Sequence, residues 1–253
     1  LREQIAEAEV DALFDLMLLM VLPSTLLASF LMQMQIARAP MSTFVISFYA
    51  LANLAVVGYA LHRLLKRGAR TDKLKAGYDA ELAVGQELDQ LMRKGAAVFH
   101  DVPAEGFNID HVVVGRVGLF AIETKGFTKS VKLKGRKRYT VVFDGQLLRF
   151  PEWSTDEPLQ QAQRQAKWLE RWLAGAVGEA VPVLPVLALP GWFVERHGQG
   201  SVRVYSGREL AWLVDKPAST APLAADQLRR IEHQLEQRCR NVTPTYKEDK
   251  RAL

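Results

Sequence analysis

The sequence predicts an α/β domain preceded by a transmembrane helical hairpin, and three observations carry that reading. Two long runs near the N-terminus contain no charged residue. From Gly77 onward, segments with helical and strand periods alternate. Charged residues make up 24% and hydrophobic ones 49%, a balance that excludes a disordered chain, yet the apolar residues crowd at the N-terminus.

The uncharged runs are Leu16 to Met34 and Met41 to Leu61. Each is close to the roughly 20 residues that cross a bilayer core as a helix. Pro23 falls inside the first and is tolerated there as a kink. The connection, "QIARAPMS", is too short for anything but a tight helical hairpin. The alternative is a pair of buried core helices, and two uncharged runs of this length argue against it.

Orientation follows from lysine and arginine. The hairpin turn carries only Arg38, whereas Arg63, Lys66, Arg67, Arg70, Lys73 and Lys75 follow the second run. The body of the protein is therefore expected on the cytoplasmic side of the cell inner membrane, with both termini inside. The tail before the first run holds Arg2 against Glu3, Glu7, Glu9, Asp11 and Asp15, and acids contribute little to orientation. That acidic flank also speaks against a cleaved signal peptide. Because the chain starts at Leu1, a few residues are expected to precede it.

The expected organisation is a tail with two membrane helices over 1–66, a basic linker over 67–76, a catalytic-type domain over 77–217 and a closing helix and tail over 218–253. Within that domain, "YDAELAVGQELDQLMRKG" reads as a helix stopped by Gly95, and "AAVFHDVP" as a strand. "NIDHVVVGRVGLFAIETKG" reads as a hairpin, and "KSVKLKGRKRYTVVFDGQLLRF" as further strands with Asp-Gly at a turn. "DEPLQQAQRQAKWLERWLAG" is a helix with Pro158 in its first turn and Leu159, Ala162, Ala166, Leu169 and Leu173 on one face. "VPVLPVLAL" and "SVRVYS" read as strands, "SGRELAWLV" and "ADQLRRIEHQLEQRCR" as closing helices, and "GWFVERHGQG" as a loop.

The hairpin holds the candidate chemistry. With its turn at Arg116 and Val117, Gly115 faces Gly118, Val114 faces Leu119, Val113 faces Phe120 and Val112 faces Ala121. Counting outward then sets Asp110 across from Glu123, with Lys125 on their face. Two opposed carboxylates repel, and a hard divalent cation such as Mg²⁺ (or Mn²⁺) relieves that conflict. A lysine beside such an ion can position an attacking water, which is equipment for phosphodiester hydrolysis. The competing explanation is a salt-bridged strand pair with Lys125 neutralising the acids.

"IDHVVVGRVGLFAIETKG" resembles the signature of the nuclease-related domain family, NERD, which is itself similar to the PD-(D/E)xK nucleases. The resemblance covers roughly Gly77 to Val214. It implies a restriction-endonuclease-like mixed sheet flanked by helices, with Asp110 and Glu123 as metal ligands and Lys125 serving the attacking water. "GYDAE" resembles the family's Gly-x-x-Gly-Glu start and carries over Glu81 to complete the acidic cluster. "EPLQQ" resembles its Asn-Pro-x-x-Gln helix start and carries over Gln161 to orient substrate or water. Ala80 stands for the second glycine and Glu157 for the asparagine, departures that touch local geometry but no proposed catalytic group.

A basic run follows: Lys129, Lys132, Lys134, Arg136, Lys137 and Arg138, with no acid before Asp144. Next to a metal site it would hold a nucleic-acid backbone through its phosphates, and the overall charge of +5 suits a polyanionic partner. Anionic lipid headgroups are the alternative partner. Tyr139 is the only aromatic directly attached, which gives base stacking little support from the sequence. The single cysteine, Cys239, excludes an internal disulfide or a Cys-based zinc site and suits a reducing compartment. His111 should point to the sheet face opposite Asp110, and His62, His100, His197 and His233 lack metal-ligand spacing. Trp153, Trp168, Trp172, Trp192 and Trp212 read as packing residues.

These readings converge on a membrane-anchored, Mg²⁺-dependent nuclease acting on nucleic acid, with DNA the first candidate. The other classes left open are a catalytically silent anchor that binds DNA or a protein partner, and a lipid-facing scaffold. The oligomeric state has no signature in the sequence.

Overall fold

The computed structural model describes residues 2–36, 42–130, 132–215 and 222–240. Arg38, on which part of the orientation reading rests, lies outside them. Contacts divide the chain into two compact units, Leu1–Tyr78 and Asp79–Leu253.

The first unit is an antiparallel helical pair made of α1 (Arg2–Ile36) and the leading part of α2 (Thr43–Asp89). Both helices are long and apolar enough to cross a membrane. Leu13, Phe14, Met17, Met20, Phe44, Leu51 and Leu54 are exposed, unlike the side chains of buried core helices. α1 runs through Pro23, and the Asn53 side-chain amide donates to the Pro23 carbonyl at 3.3 Å. Asp15, almost fully buried, meets Arg63 and Arg67 at 3.1 Å each, and Lys75 meets Glu9 at 2.8 Å. Glu9, Asp11 and Asp15 of the tail are thus paired with basic residues that follow the second run. The basic segment 67–76 is helical, as part of α2.

In the second unit, α2 ends at Asp89 and tightens into a 3-10 turn over Gln90–Lys94. Gly95 closes it in the left-handed conformation, φ 78°, where glycine carries no Cβ penalty. The main sheet contains β1 (Ala97–Pro103), β2 (Asn108–Gly115), β3 (Gly118–Thr124), β7 (Val183–Leu189) and β9 (Arg203–Ser206), in that spatial order. β1, β2 and β3 pair antiparallel, whereas β7 and β9 add on in parallel. The β2–β3 register has Gly115 opposite Gly118, Val114 opposite Leu119, Val113 opposite Phe120 and Val112 opposite Ala121, as counted from the turn. A smaller sheet orders β6 (Ser154–Thr155), β5 (Leu148–Arg149), β4 (Thr140–Phe143) and β8 (Phe193–Arg196).

Strand alternation sorts the core into two faces. Val112, Val114, Leu119 and Ala121 meet Ala166, Leu169 and Leu173 of α3 (Glu157–Val177), with Ile231 and Leu235 of α4 (Ala225–Cys239). Val113, Phe120 and Ile122 meet Val84 and Leu88 of α2 and Leu210 and Leu213 of a 3-10 helix over Gly207–Asp215. Each buried Val, Leu, Ile or Phe among them contributes about 1.5–3 kcal/mol through burial. β3, central in the sheet, is buried along its whole length.

Two expectations are corrected. "GWFVERHGQG" is not all loop, because Phe193 to Arg196 pair in parallel with β4. "KSVKLKGRKRYTVV" forms a strand only from Thr140, after a short 3-10 turn over Arg136–Tyr139. The glycines after β8 have a steric reason: the 198–200 loop lies against the Asp144–Gly145 turn. There a Cβ on Gly198 would clash with the Asp144 carbonyl oxygen, and one on Gly200 with that of Gly145.

Candidate active site

The site lies in the second unit, where β2 begins and β3 ends. The regular β2–β3 pairing stops at His111–Ile122. One residue beyond, Asp110 turns its carboxylate to the backbone, and Oδ2 accepts a 2.7 Å hydrogen bond from the Thr124 N–H. Glu123 is only 2% exposed. Its Oε1 lies 2.6 Å from Lys125 Nζ, and its Oε2 accepts a 2.5 Å hydrogen bond from Gln165 Nε2. The Lys125 N–H bonds to the Ala188 carbonyl at 3.0 Å, which extends the β3–β7 pairing and fixes where the lysine departs.

Burial, followed by the Glu123 charge, pushes the Asp110 carboxyl up to about 8, against the stabilising Thr124 N–H bond. Glu81, on the last turns of α2, is also pushed upward, first by burial and then by the charges of Asp101 and Glu123. The fold therefore gathers Glu81, Asp110, Glu123 and Lys125 into one electrostatic neighbourhood. Gln161 lies on α3, half-buried and one turn before Gln165.

Gln165 and Asp101 were not singled out in the sequence. Gln165 sits four residues after Gln161 and hence on the same helix face, and it is Gln165 whose amide reaches Glu123. Asp101 falls between the pairs His100–His111 and Val102–Ile109, at the position facing Asp110. Its φ of 50° is the one positive value at a non-glycine residue among the described residues. Aspartate tolerates that conformation better than most, and no local pattern announces it.

His111 lies on the face opposite Asp110. Its Nδ1 is 2.7 Å from Nδ1 of His100, whose Nε2 is 2.9 Å from Asp89 Oδ1. Burial, and then the neighbouring His100, pushes His111 down to about 3, which keeps it neutral in ordinary buffers.

Among the described residues no cluster of three or more His, Cys, Asp or Glu side chains has the form of a metal site. What is present is a pair of hard carboxylates, one of which is raised by burial and then by the charge of the other. Two buried atoms beside them, Thr124 Oγ1 and Gln165 Oε1, have no hydrogen-bond partner among the described residues. Orphans of that kind cost about 1–3 kcal/mol each. A small hard cation that keeps several of its waters would neutralise the acids and supply donors to those atoms, so the residues fit one.

The basic run extends from this end of the sheet. Lys132, Lys134, Arg136, Lys137 and Arg138 are exposed, and Lys129 is half-buried. Arg136 anchors the run, with its guanidinium 4.0 Å from the Phe193 ring centre and 3.9 Å from Glu195. A Cβ on Gly191 would meet Lys129 Nζ at 2.8 Å, so the lysine crosses the backbone just after β7.

Fold and site together define a mixed α/β domain with a carboxylate–lysine cluster at one end of its sheet. The family model of the nuclease-related domain, NERD, matches residues 76–190 of the chain. No curated protein and no solved structure matches the chain. A nuclease-related domain implies nucleic-acid interaction and use of a divalent metal.

Proposed function

We propose that this protein is a membrane-anchored, divalent-metal-dependent nuclease of the PD-(D/E)xK type, with Asp110, Glu123 and Lys125 at its centre and DNA as its first candidate substrate. The observation that carries the reading is the buried Glu123 carboxylate. It is held between Lys125 and Gln165 while a second acid crowds it from the adjoining strand. A carboxylate placed at that cost in repulsion and desolvation serves a cation better than it serves the fold.

Asp110 and Glu123 would hold Mg²⁺ or Mn²⁺, with Glu81 behind them, and the ion supplies Lewis acidity and a water of lowered pKa. Lys125, whose ammonium can swing from Glu123 to the incoming phosphate, aligns the attacking water and offsets negative charge on the phosphoryl oxygens. Gln165 keeps the Glu123 carboxylate aimed, and Gln161 on the same helix face orients water or substrate. Water's oxygen bonds to phosphorus, the bridging P–O bond breaks, and the departing oxygen takes a proton. The exposed cations from Lys129 to Arg138 hold the flanking phosphates. The two apolar helices anchor the protein in the inner membrane with this domain cytoplasmic, on the strength of the Lys/Arg excess after the second helix.

One observation favours a second reading. Lys125 and Gln165 engage both oxygens of Glu123, a closed arrangement that suits a silent nucleic-acid-binding anchor.

The deciding assay uses the full chain in detergent micelles with single- and double-stranded DNA and RNA, with Mg²⁺, Mn²⁺ or EDTA. Cleavage is expected only with metal, to be lost in Lys125→Ala, and to fall by about 10- to 100-fold in Gln165→Ala, as for residues that orient a metal ligand. Cleavage that persists at the wild-type rate in Lys125→Ala sinks the catalytic reading, and salt-sensitive binding without cleavage supports the silent anchor.

A further inference from the structure

Folding brings to the site an aromatic ledge that is scattered in the sequence. Phe127 lies two residues past Lys125, hence within about 7 Å along the chain. Its ring is 5.0 Å from Phe150 and 4.9 Å from Trp153, and its carbonyl accepts a 3.2 Å hydrogen bond from Trp192 Nε1. Phe150 and Trp153 bracket the turn between β5 and β6, which the Phe150 N–H closes on the Trp153 carbonyl at 2.8 Å. Their rings stack 4.0 Å apart and 12° from parallel.

The two stacked rings differ in exposure. Phe150 is 6% exposed and belongs to the core between the sheets, whereas Trp153 is 40% exposed. One indole face is therefore backed by a rigid buried ring. No other ring or cation covers the second face among the described residues. Lys125 and Lys129 flank Phe127 in the chain. An exposed indole held at fixed tilt beside lysines that take phosphates matches the makeup of a single-strand platform, in which a base lies on an aromatic face and cations track the backbone. Glu152, exposed in the same turn, repels a phosphate at that spot, so the contact made there is with a base face. A duplex keeps its base faces covered by stacking and offers the indole nothing.

We infer that Trp153, backed by Phe150 and flanked by Phe127, is a stacking platform for an unpaired nucleobase beside the carboxylate–lysine cluster, so that the nucleic acid bound there is single-stranded or locally unpaired. This rests on the reading of this end of the sheet as a nucleic-acid site, though not on its being an active one.

The test is binding in EDTA by the full chain in detergent micelles, with a single-stranded oligodeoxynucleotide carrying 2-aminopurine and with the duplex of the same sequence. Wild type is expected to bind the single strand more tightly and to quench the 2-aminopurine on binding. Trp153→Ala should weaken single-strand binding by about 5- to 150-fold, abolish the quench and leave duplex binding unchanged. Trp153→Phe should retain the quench, which guards against misreading a folding defect. Unchanged single-strand binding in Trp153→Ala overturns the proposal, as does an equal loss for single strand and duplex. A Trp153-dependent quench in a protein that cuts nothing when Mg²⁺ is restored upholds the platform and refutes the nuclease. Metal-dependent cutting with no effect of Trp153 does the reverse.

Discussion

Asp110→Asn is expected to abolish metal-dependent cleavage and at the same time to make the domain more stable. The amide keeps the shape of the side chain, and its oxygen can still accept the Thr124 N–H bond that fixes Asp110 Oδ2. What it loses is charge. Without it the pair cannot hold a divalent cation, and a loss of about 10²–10⁴-fold is expected, the range for removing a group that stabilises charge or moves a proton. The stability gain has the same origin, because burial and the Glu123 charge are what raise the Asp110 carboxyl. At pH 8, where the wild type must ionise that group or hold a proton on it, the gain should be a few kcal/mol, on the order of 1.4 kcal/mol per pH unit of displacement. It should vanish only well below pH 3.8, where the acid is neutral in both folded and unfolded chains. All five tryptophans follow residue 150, so intrinsic fluorescence reports unfolding of this domain rather than of the helical pair. A variant that loses cleavage and also stability would mark Asp110 as a structural residue.

The wild-type domain, kept free of divalent metal, is expected to lose stability as pH rises from 6.5 to 8. Asp110 has its proton affinity raised on folding, to about 8 from an ordinary 3.8. Between those values the folded chain holds more protons than the unfolded chain, so stability falls with rising pH and levels off above 8. His111 works in the opposite sense, pushed down to about 3 from 6.5. Between pH 3 and 6.5 the unfolded chain holds the extra proton, so His111 removes stability as the solution is acidified. The two slopes cancel between about pH 4 and 6.5, and Asp110 acts unopposed above that, for a net loss on the order of 2 kcal/mol. Mg²⁺ at saturating concentration should flatten this fall, because it binds the deprotonated pair. Asp110→Asn should remove the fall and leave only the acid-side loss due to His111. A melting temperature that rises from pH 6.5 to 8 without metal would refute this account of the site.

The parts of the molecule that were legible in the sequence are those specified by neighbours along the chain. The β2–β3 register followed from a two-residue turn between Gly115 and Gly118 and from period-2 counting, with no gap to confuse it. The buried face of α3 followed from helical spacing alone. What escaped depends on distant partners. β8 is four residues long and is a strand only because β4 lies beside it in parallel. Gln165 reaches Glu123 from 42 residues away, and nothing local distinguishes it from Gln161. Trp153 and Phe127 are 26 positions apart in sequence yet in ring contact, and for that reason the basic run looked poor in aromatics. The α2 helix runs through Gly68 and Gly77, residues that each disfavour a helix by about 1 kcal/mol, because the long helix-forming stretches around them outweigh that cost.

The central claim is that Asp110 and Glu123 form a divalent-cation site, and direct measurement of Mn²⁺ binding tests it without reference to substrate. Electron paramagnetic resonance of Mn²⁺ titrated into the full chain in detergent micelles separates free from bound ion. The account predicts stoichiometric binding at neutral pH that Mg²⁺ displaces, that weakens on acidification as Asp110 takes up its proton, and that is lost in Asp110→Asn. Absence of bound Mn²⁺, or binding that Asp110→Asn leaves intact, would contradict it.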